Sequence, residues 1–225
     1  MVIKFKVAGN LRFLSHAETI SFLQRACVRA GIGIQYSQGF NPRPKMSLPL
    51  PRPVGVESDD ELLCLRVAVD PDELRIASHE SRIKDELSRQ LPEGCELLSV
   101  SVARASRSFQ PSTATYVLAV KAEYLNEGLR ARIDRLLASE NLNVQRQKDK
   151  KNSKFKTQNL KLKNVDVRVF LKSIKLDDRG IIVECNISPA GSISVDEILG
   201  LLELDQGKLA SPVRRTKVQW QVNES

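Results

Sequence analysis

Hydrophobic periodicity alternates between two and 3.6 residues along this chain, in an order that leaves few architectures open. VIKFKV at residues 2 to 7 alternates apolar with charged side chains, the pattern of a strand with one buried face. Gly9-Asn10 turns the chain. Ser15-His16-Ala17-Glu18 then forms an S-x-x-E capping box, in which the serine oxygen takes the Glu18 amide and Glu18 reaches back. The helix this predicts buries Ile20, Leu23, Cys27 and Ala30, carries Arg25 and Arg29 one turn apart on another face, and stops at Gly31 and Gly33. Ile32 to Gln38 reads as a second strand, and residues 39 to 45 as a loop held by two prolines. Met46 to Pro53 follows as an extended edge run, because prolines 49, 51 and 53 cannot donate to a ladder. Leu62 to Val69 predicts a strand, Ile76 to Leu91 a helix, and Leu97 to Val102 a strand. The order is β-α-β-β-α-β.

The second half repeats this order without residue-level identity. Thr115 to Lys121, Leu142 to Gln147, Val165 to Leu176, Gly180 to Ile187 and Val213 to Val222 read as strands. Asn126 to Leu137 reads as a helix, and a second capping box at Ser194-Val195-Asp196-Glu197 opens another through Leu204. The expected class is α+β: two ferredoxin-like βαββαβ halves, 1–103 and 113–225, each an antiparallel sheet with helices packed on one face.

Of the 225 residues, 41% are hydrophobic and 28% charged, the balance of a globular protein with a packed core. No run approaches the roughly 18 apolar residues that span a bilayer, and MVIKFKV opens without a signal-type apolar region, so the expectation is a cytoplasmic protein with no membrane partner. Cys27, Cys64, Cys95 and Cys185 are too dispersed for a cluster and sit among apolar neighbours, so they read as reduced core thiols. With only His16 and His79 besides, no metal site and no cofactor are expected.

The net charge of +8 favours polyanionic partners, and it is unevenly placed. Residues 1–57 carry +6 (eight basic, two acidic) and residues 143–163 carry +7 (eight basic, one acidic). In the first island the helix N-terminus at Ser15 and His16 offers free amides, and Arg12, Arg43 and Lys45 add full charges. Tyr36 and Phe40 supply flat faces for a base, and Ser37, Gln38 and Asn41 supply donors and acceptors around Gly39. If the strand 32–38 runs parallel to the first, both segments meet at one end of the sheet as a single-stranded RNA grip. The alternative is a rigid turn with Phe40 plugging the core. His16 is also a candidate general base toward a ribose 2′-hydroxyl, with Tyr36 as donor and Lys45 or Arg12 stabilising the developing charge. In the second island the loop 145–163 places Arg146, Lys148, Lys150, Lys151, Lys154 and Lys156 for salt-sensitive phosphate contacts, or serves as a solvated linker or a docking site for an acidic protein.

The blocks Arg12-Phe13-Leu14-Ser15-His16, Tyr36-Ser37-Gln38-Gly39-Phe40-Asn41-Pro42-Arg43-Pro44 and Pro53-Val54-Gly55-Val56-Glu57-Ser58, with the later Val165-Asp166-Val167-Arg168, resemble the bacterial radical SAM-linked family of unknown function. The resemblance runs nearly end to end. It departs at Ala17-Glu18, where the family more often has an apolar or polar residue followed by Asp. Members are found fused to or encoded beside a radical SAM enzyme with a cobalamin-binding-type domain. This chain lacks the cysteine triad of such an enzyme, so the resemblance implies the companion: a non-catalytic RNA-binding accessory presenting tRNA or rRNA for modification. The alternatives are a metal-independent ribonuclease using His16 and a protein-docking adaptor. The paired halves also look like CRISPR repeat-processing endonucleases, an analogy of fold alone.

Overall fold

The computed structural model describes residues 1–67, 77–102, 107–147, 162–178 and 180–224. It is a mixed α/β protein whose strand pairing is mostly antiparallel, with four α-helices among the described residues. The chain divides into two compact units, Met1–Val117 with Pro212–Ser225, and Leu118–Ser211.

In the first unit, β1 (Val2–Val7) lies between β3 (Glu57–Leu65) and β4 (Cys95–Ser101), antiparallel to both. The short β2 (Met46–Ser47) pairs with the Cys64–Leu65 end of β3. Helix α1 (His16–Arg29) connects β1 to β2, and α2 (Ala77–Ser88) precedes β4. The apolar face of β1, Ile3, Phe5 and Val7, packs with Leu23, Ala26 and Cys27 of α1 and with Leu63, Leu87, Leu97 and Val100. Burial pushes the Cys27 thiol up to about 12, so it is an inert core group.

The strand expected at 32–38 does not form. Only the isolated bridges Ile34↔Val67 and Tyr36↔Pro44 occur there, because glycines at 31 and 33 and prolines at 42 and 44 interrupt the segment. Strand β3 begins at Glu57, five residues before its expected start. Its acidic ESDD opening has the polarity of a loop, yet each carboxylate has a basic or amide partner. Arg214 reaches Glu57 at 2.5 Å and Asp59 at 3.0 Å, and Lys4 reaches Asp60 at 3.2 Å.

The C-terminal strand β10 (Arg214–Glu224), expected to close the second half, belongs to the first unit. It runs parallel to β3 at Glu57–Ser58 and antiparallel to β5 (Arg107–Leu118). The reason is charge: in Arg214-Arg215-Thr216-Lys217 the two arginines match the acidic opening of β3. Arg215, 0% exposed, donates to Glu61 at 2.6 Å.

The second unit holds α3 (Glu127–Ala138), the antiparallel pair β6 (Asn143–Gln147) and β7 (Leu162–Asp166), the antiparallel hairpin β8 (Leu171–Asp177) and β9 (Gly180–Asn186), and α4 (Val195–Leu201). The single strand expected over 165–176 is broken by a 3-10 turn at Arg168–Phe170. There the Asp166 carboxylate accepts the amides of Leu142 at 2.8 Å and Arg168 at 2.9 Å. The Arg168 guanidinium donates to the carbonyls of Leu171 at 2.8 Å and Ser139 at 3.1 Å. A second four-stranded βαββαβ sheet is therefore not what these pairings make: β6–β7 is a separate two-stranded ladder, and the closing strand lies in the first unit.

Candidate nucleic-acid interface

Residues 36–44 form a stapled arm at one end of the first unit. The Ser37 amide donates to the Arg43 carbonyl at 2.8 Å, and the Arg43 amide returns to the Ser37 hydroxyl at 2.9 Å. Below this, Lys45 donates to the Gln35 carbonyl at 2.8 Å, and the amide of Arg66 donates to the Lys45 carbonyl at 2.9 Å. Pro42 and Pro44 fix φ within the arm, and Gly39 takes a φ of +124° that other residues adopt only with strain. Phe40 stands at the tip with a relative exposure of 106%. It does not plug the core.

Around the arm the charge of the described residues is positive. Arg43 and Lys45 are exposed, as is Arg66 at the arm's foot, and none has a carboxylate partner among the described residues. The Tyr36 hydroxyl accepts from Gln24 at 3.4 Å, which places the arm near the second half of α1, where Arg25 and Arg29 are exposed and without a carboxylate partner among the described residues. No Asp or Glu occurs between Glu18 and Glu57. Gln38 and Asn41 are exposed beside Phe40. The first-island reading did not include Arg25, Arg29 and Arg66 as binding residues, although the acid-free run holding the first two was readable. Arg66 lies beyond that run and joins the group only through its pairing with Lys45.

The RFLSH block lies elsewhere. Ser15 caps α1: its hydroxyl accepts from the Glu18 amide at 3.3 Å while Glu18 accepts the Ser15 amide at 2.8 Å and hydroxyl at 2.7 Å. Bonds from the Ser15 side chain and then its backbone hold the Glu18 carboxyl below the usual range. Arg12 donates to the Gly9 carbonyl at 2.8 Å and lies 4.2 Å from the centre of the half-exposed Phe13 ring. Nδ1 of His16 is sealed from solvent and has no hydrogen-bond partner.

The two blocks do not converge. RFLSH follows the Val7 end of β1, which pairs with Ser58, whereas the arm's foot adjoins Leu65–Val67 at the other end of β3. From Ser58 to Leu65 the strand spans about 24 Å. The Tyr36 hydroxyl, tied to Gln24, sits about two helical turns from His16, beyond hydrogen-bond reach. The cause is the missing strand at 32–38: the chain returns along β3 only after Met46, so the arm precedes the strand rather than follows it. His16, Tyr36 and Lys45 are not assembled as one constellation.

Beside RFLSH sits the PRPVGVES block, through Arg52. This arginine, 8% exposed, donates to the carbonyls of Arg12 and Val56 at 2.7 Å each, Leu11 at 3.0 Å, and Pro53 and Leu14 at 3.4 Å each. Burial holds its guanidinium below the usual value. Arg52, Glu61 and Arg215 form a buried group that sequence reading passed over, with hydrogen bonds that run from Arg215 to Glu61 and from Arg52 to main-chain carbonyls.

In the second unit, Arg146 is engaged internally: its guanidinium grips Glu197 at 2.6 and 2.9 Å and the Ser192 carbonyl at 2.7 Å. Lys148, Lys150, Lys151, Lys154 and Lys156 lie outside the described residues, as does the His79 side chain. Among the described residues no helix is long and apolar enough to cross a membrane, and no three His, Cys, Asp or Glu side chains gather as a metal-binding group.

No curated protein matches the chain. Residues 1–197 match the model of a family described as an uncharacterized protein conserved in bacteria, DUF2344, and with most of its length covered the chain belongs to that family.

Proposed function

We propose that this protein is an RNA-binding accessory of a separately encoded radical SAM enzyme, presenting a tRNA or rRNA element for modification, with the first unit as a ferredoxin-like RNA-facing module. One observation carries the reading: Arg43, Lys45 and Arg66 stand exposed and, among the described residues, without carboxylate partners around one stapled arm, at an end of the unit that also carries Arg25 and Arg29. Unpaired cations gathered on one surface attract phosphates through counterion release. The resemblance of the sequence blocks supports the choice of a radical SAM partner. The Phe13, Arg12 and Val54 end, where Phe13 and Val54 are exposed, is free for that partner while the arm holds RNA.

Ultraviolet crosslinking of the protein in bacterial cells, followed by mapping of the modified peptides, tests the reading. Crosslinks on peptides holding residues 36–45 to tRNA or rRNA fragments are the expected result. Recovery of protein partners that survive nuclease treatment, with no RNA crosslink, overturns it in favour of a docking adaptor. The catalytic alternative has its own readout: incubation with an RNA pool in chelator, where the accessory reading expects no cleavage and no gain of 2′,3′-cyclic phosphate ends.

A further inference from the structure

A phenylalanine held wholly in solvent forgoes the gain of burying its ring, and Phe40 does so at the tip of an arm fastened beneath it. Phe40 is not loose. Two backbone and side-chain bonds between Ser37 and Arg43, a bridge from Tyr36 to Pro44 and two prolines fix the arm beneath it, which keeps the ring presented before any partner arrives. Its neighbours argue what the partner is. A ring that anchors a protein partner sits within an apolar patch, whereas Phe40 is flanked on the arm by Gln38, Asn41 and Arg43, all exposed, with Lys45 and Arg66 at the foot. An exposed aromatic face on an arm that also presents amides and cations, with Tyr36 and Pro42 exposed on the same arm, matches one unstacked base with its flanking phosphates.

We infer that Phe40 is a stacking finger for an unpaired nucleotide, so that the arm selects single-stranded or looped RNA over duplex. The inference rests on the RNA-binding reading and sharpens its substrate class. In a continuous duplex every base face is already stacked, and only the cations of the arm engage. In a loop or single strand, a base swings onto the Phe40 ring while Arg43 and Lys45 hold the phosphates on either side.

The test compares a fluorescein-labelled 12-nucleotide single-stranded RNA with a 12-base-pair RNA duplex at low salt, by anisotropy, using the full chain. Phe40 makes no core contact, so Phe40→Ala is expected to fold as the wild type. Wild type binds the single strand more tightly. Phe40→Ala weakens single-strand binding about tenfold, ~1.4 kcal/mol, and leaves duplex binding unchanged. Phe40→Trp restores affinity and shows quenching of its added indole emission on binding. Arg43→Ala with Lys45→Ala weakens both ligands. If Phe40→Ala binds the single strand as the wild type does, or loses both ligands equally, the finger is overturned while RNA binding stands. If the wild type binds neither RNA, the RNA reading itself fails and the finger with it.

Discussion

Among the described residues, several arginines fasten distant segments, and two of them do so by gathering carbonyls. Arg52 collects five of them across two short segments, 11–14 and 53–56, and Arg168 ties Ser139 to Leu171 in the same manner. A planar fork with five N–H groups suits this task, and a lysine ammonium does not. Arg52→Lys is therefore expected to lower stability by about 1–3 kcal/mol in urea titration, since buried carbonyls lose their donors. Arg215 differs, because it meets a buried carboxylate. Arg215→Leu removes the donor that pairs the buried Glu61 carboxylate, a loss of about 3–5 kcal/mol, and adding Glu61→Leu is expected to recover most of it. A double variant no more stable than the single one contradicts the pairing. None of this was legible beforehand. Arg52 reads as one more basic residue in a proline-rich run, and an arginine's burial has no signature in its own sequence neighbourhood.

Helix starts were legible and strand pairing was not, for the same physical reason: local rules govern caps, whereas distant partners govern ladders. Both predicted capping boxes, at Ser15 and Ser194, are present. β3 was read short because an acidic run acquires strand character only once Arg214, Arg215 and Lys4 are opposite it, and those residues are far away in sequence. The helix α4 shows a cap tied to a longer-range pair. Burial pushes the Glu197 carboxyl up, but the Arg146 guanidinium and the Ser194 amide outweigh it and hold it below its ordinary 4.5. A carboxyl depressed in the folded state stabilises above its unfolded value and loses that contribution as pH falls through the folded one. The thermal midpoint is thus expected to drop between about pH 5 and 3 more steeply for the wild type than for Glu197→Gln. Parallel curves for the two proteins contradict this role.

Taken across the chain, charge sorts into two jobs. Carboxylates of β3 take up Arg214, Arg215 and Lys4 inside the first unit, and Glu197 takes up Arg146 inside the second. Among the described residues, the first unit's cations without a carboxylate partner include Arg43, Lys45 and Arg66 about the arm, and the proposed RNA surface rests on them. Arg43 and Lys45 were readable from the motif blocks and the residues beside them. The mutual placement of the blocks was not readable, because it depends on a two-residue strand at Met46 that no periodicity reveals. The most direct measurement is the slope of log affinity against log salt for single-stranded RNA, in the wild type and in the triple variant Arg43→Ala, Lys45→Ala, Arg66→Ala. The expected result is a steep wild-type slope that shrinks in magnitude by about 2 in the variant, the counterions of three lost phosphate contacts. An unchanged slope, or a wild type that does not bind at low salt, contradicts an RNA surface on the arm.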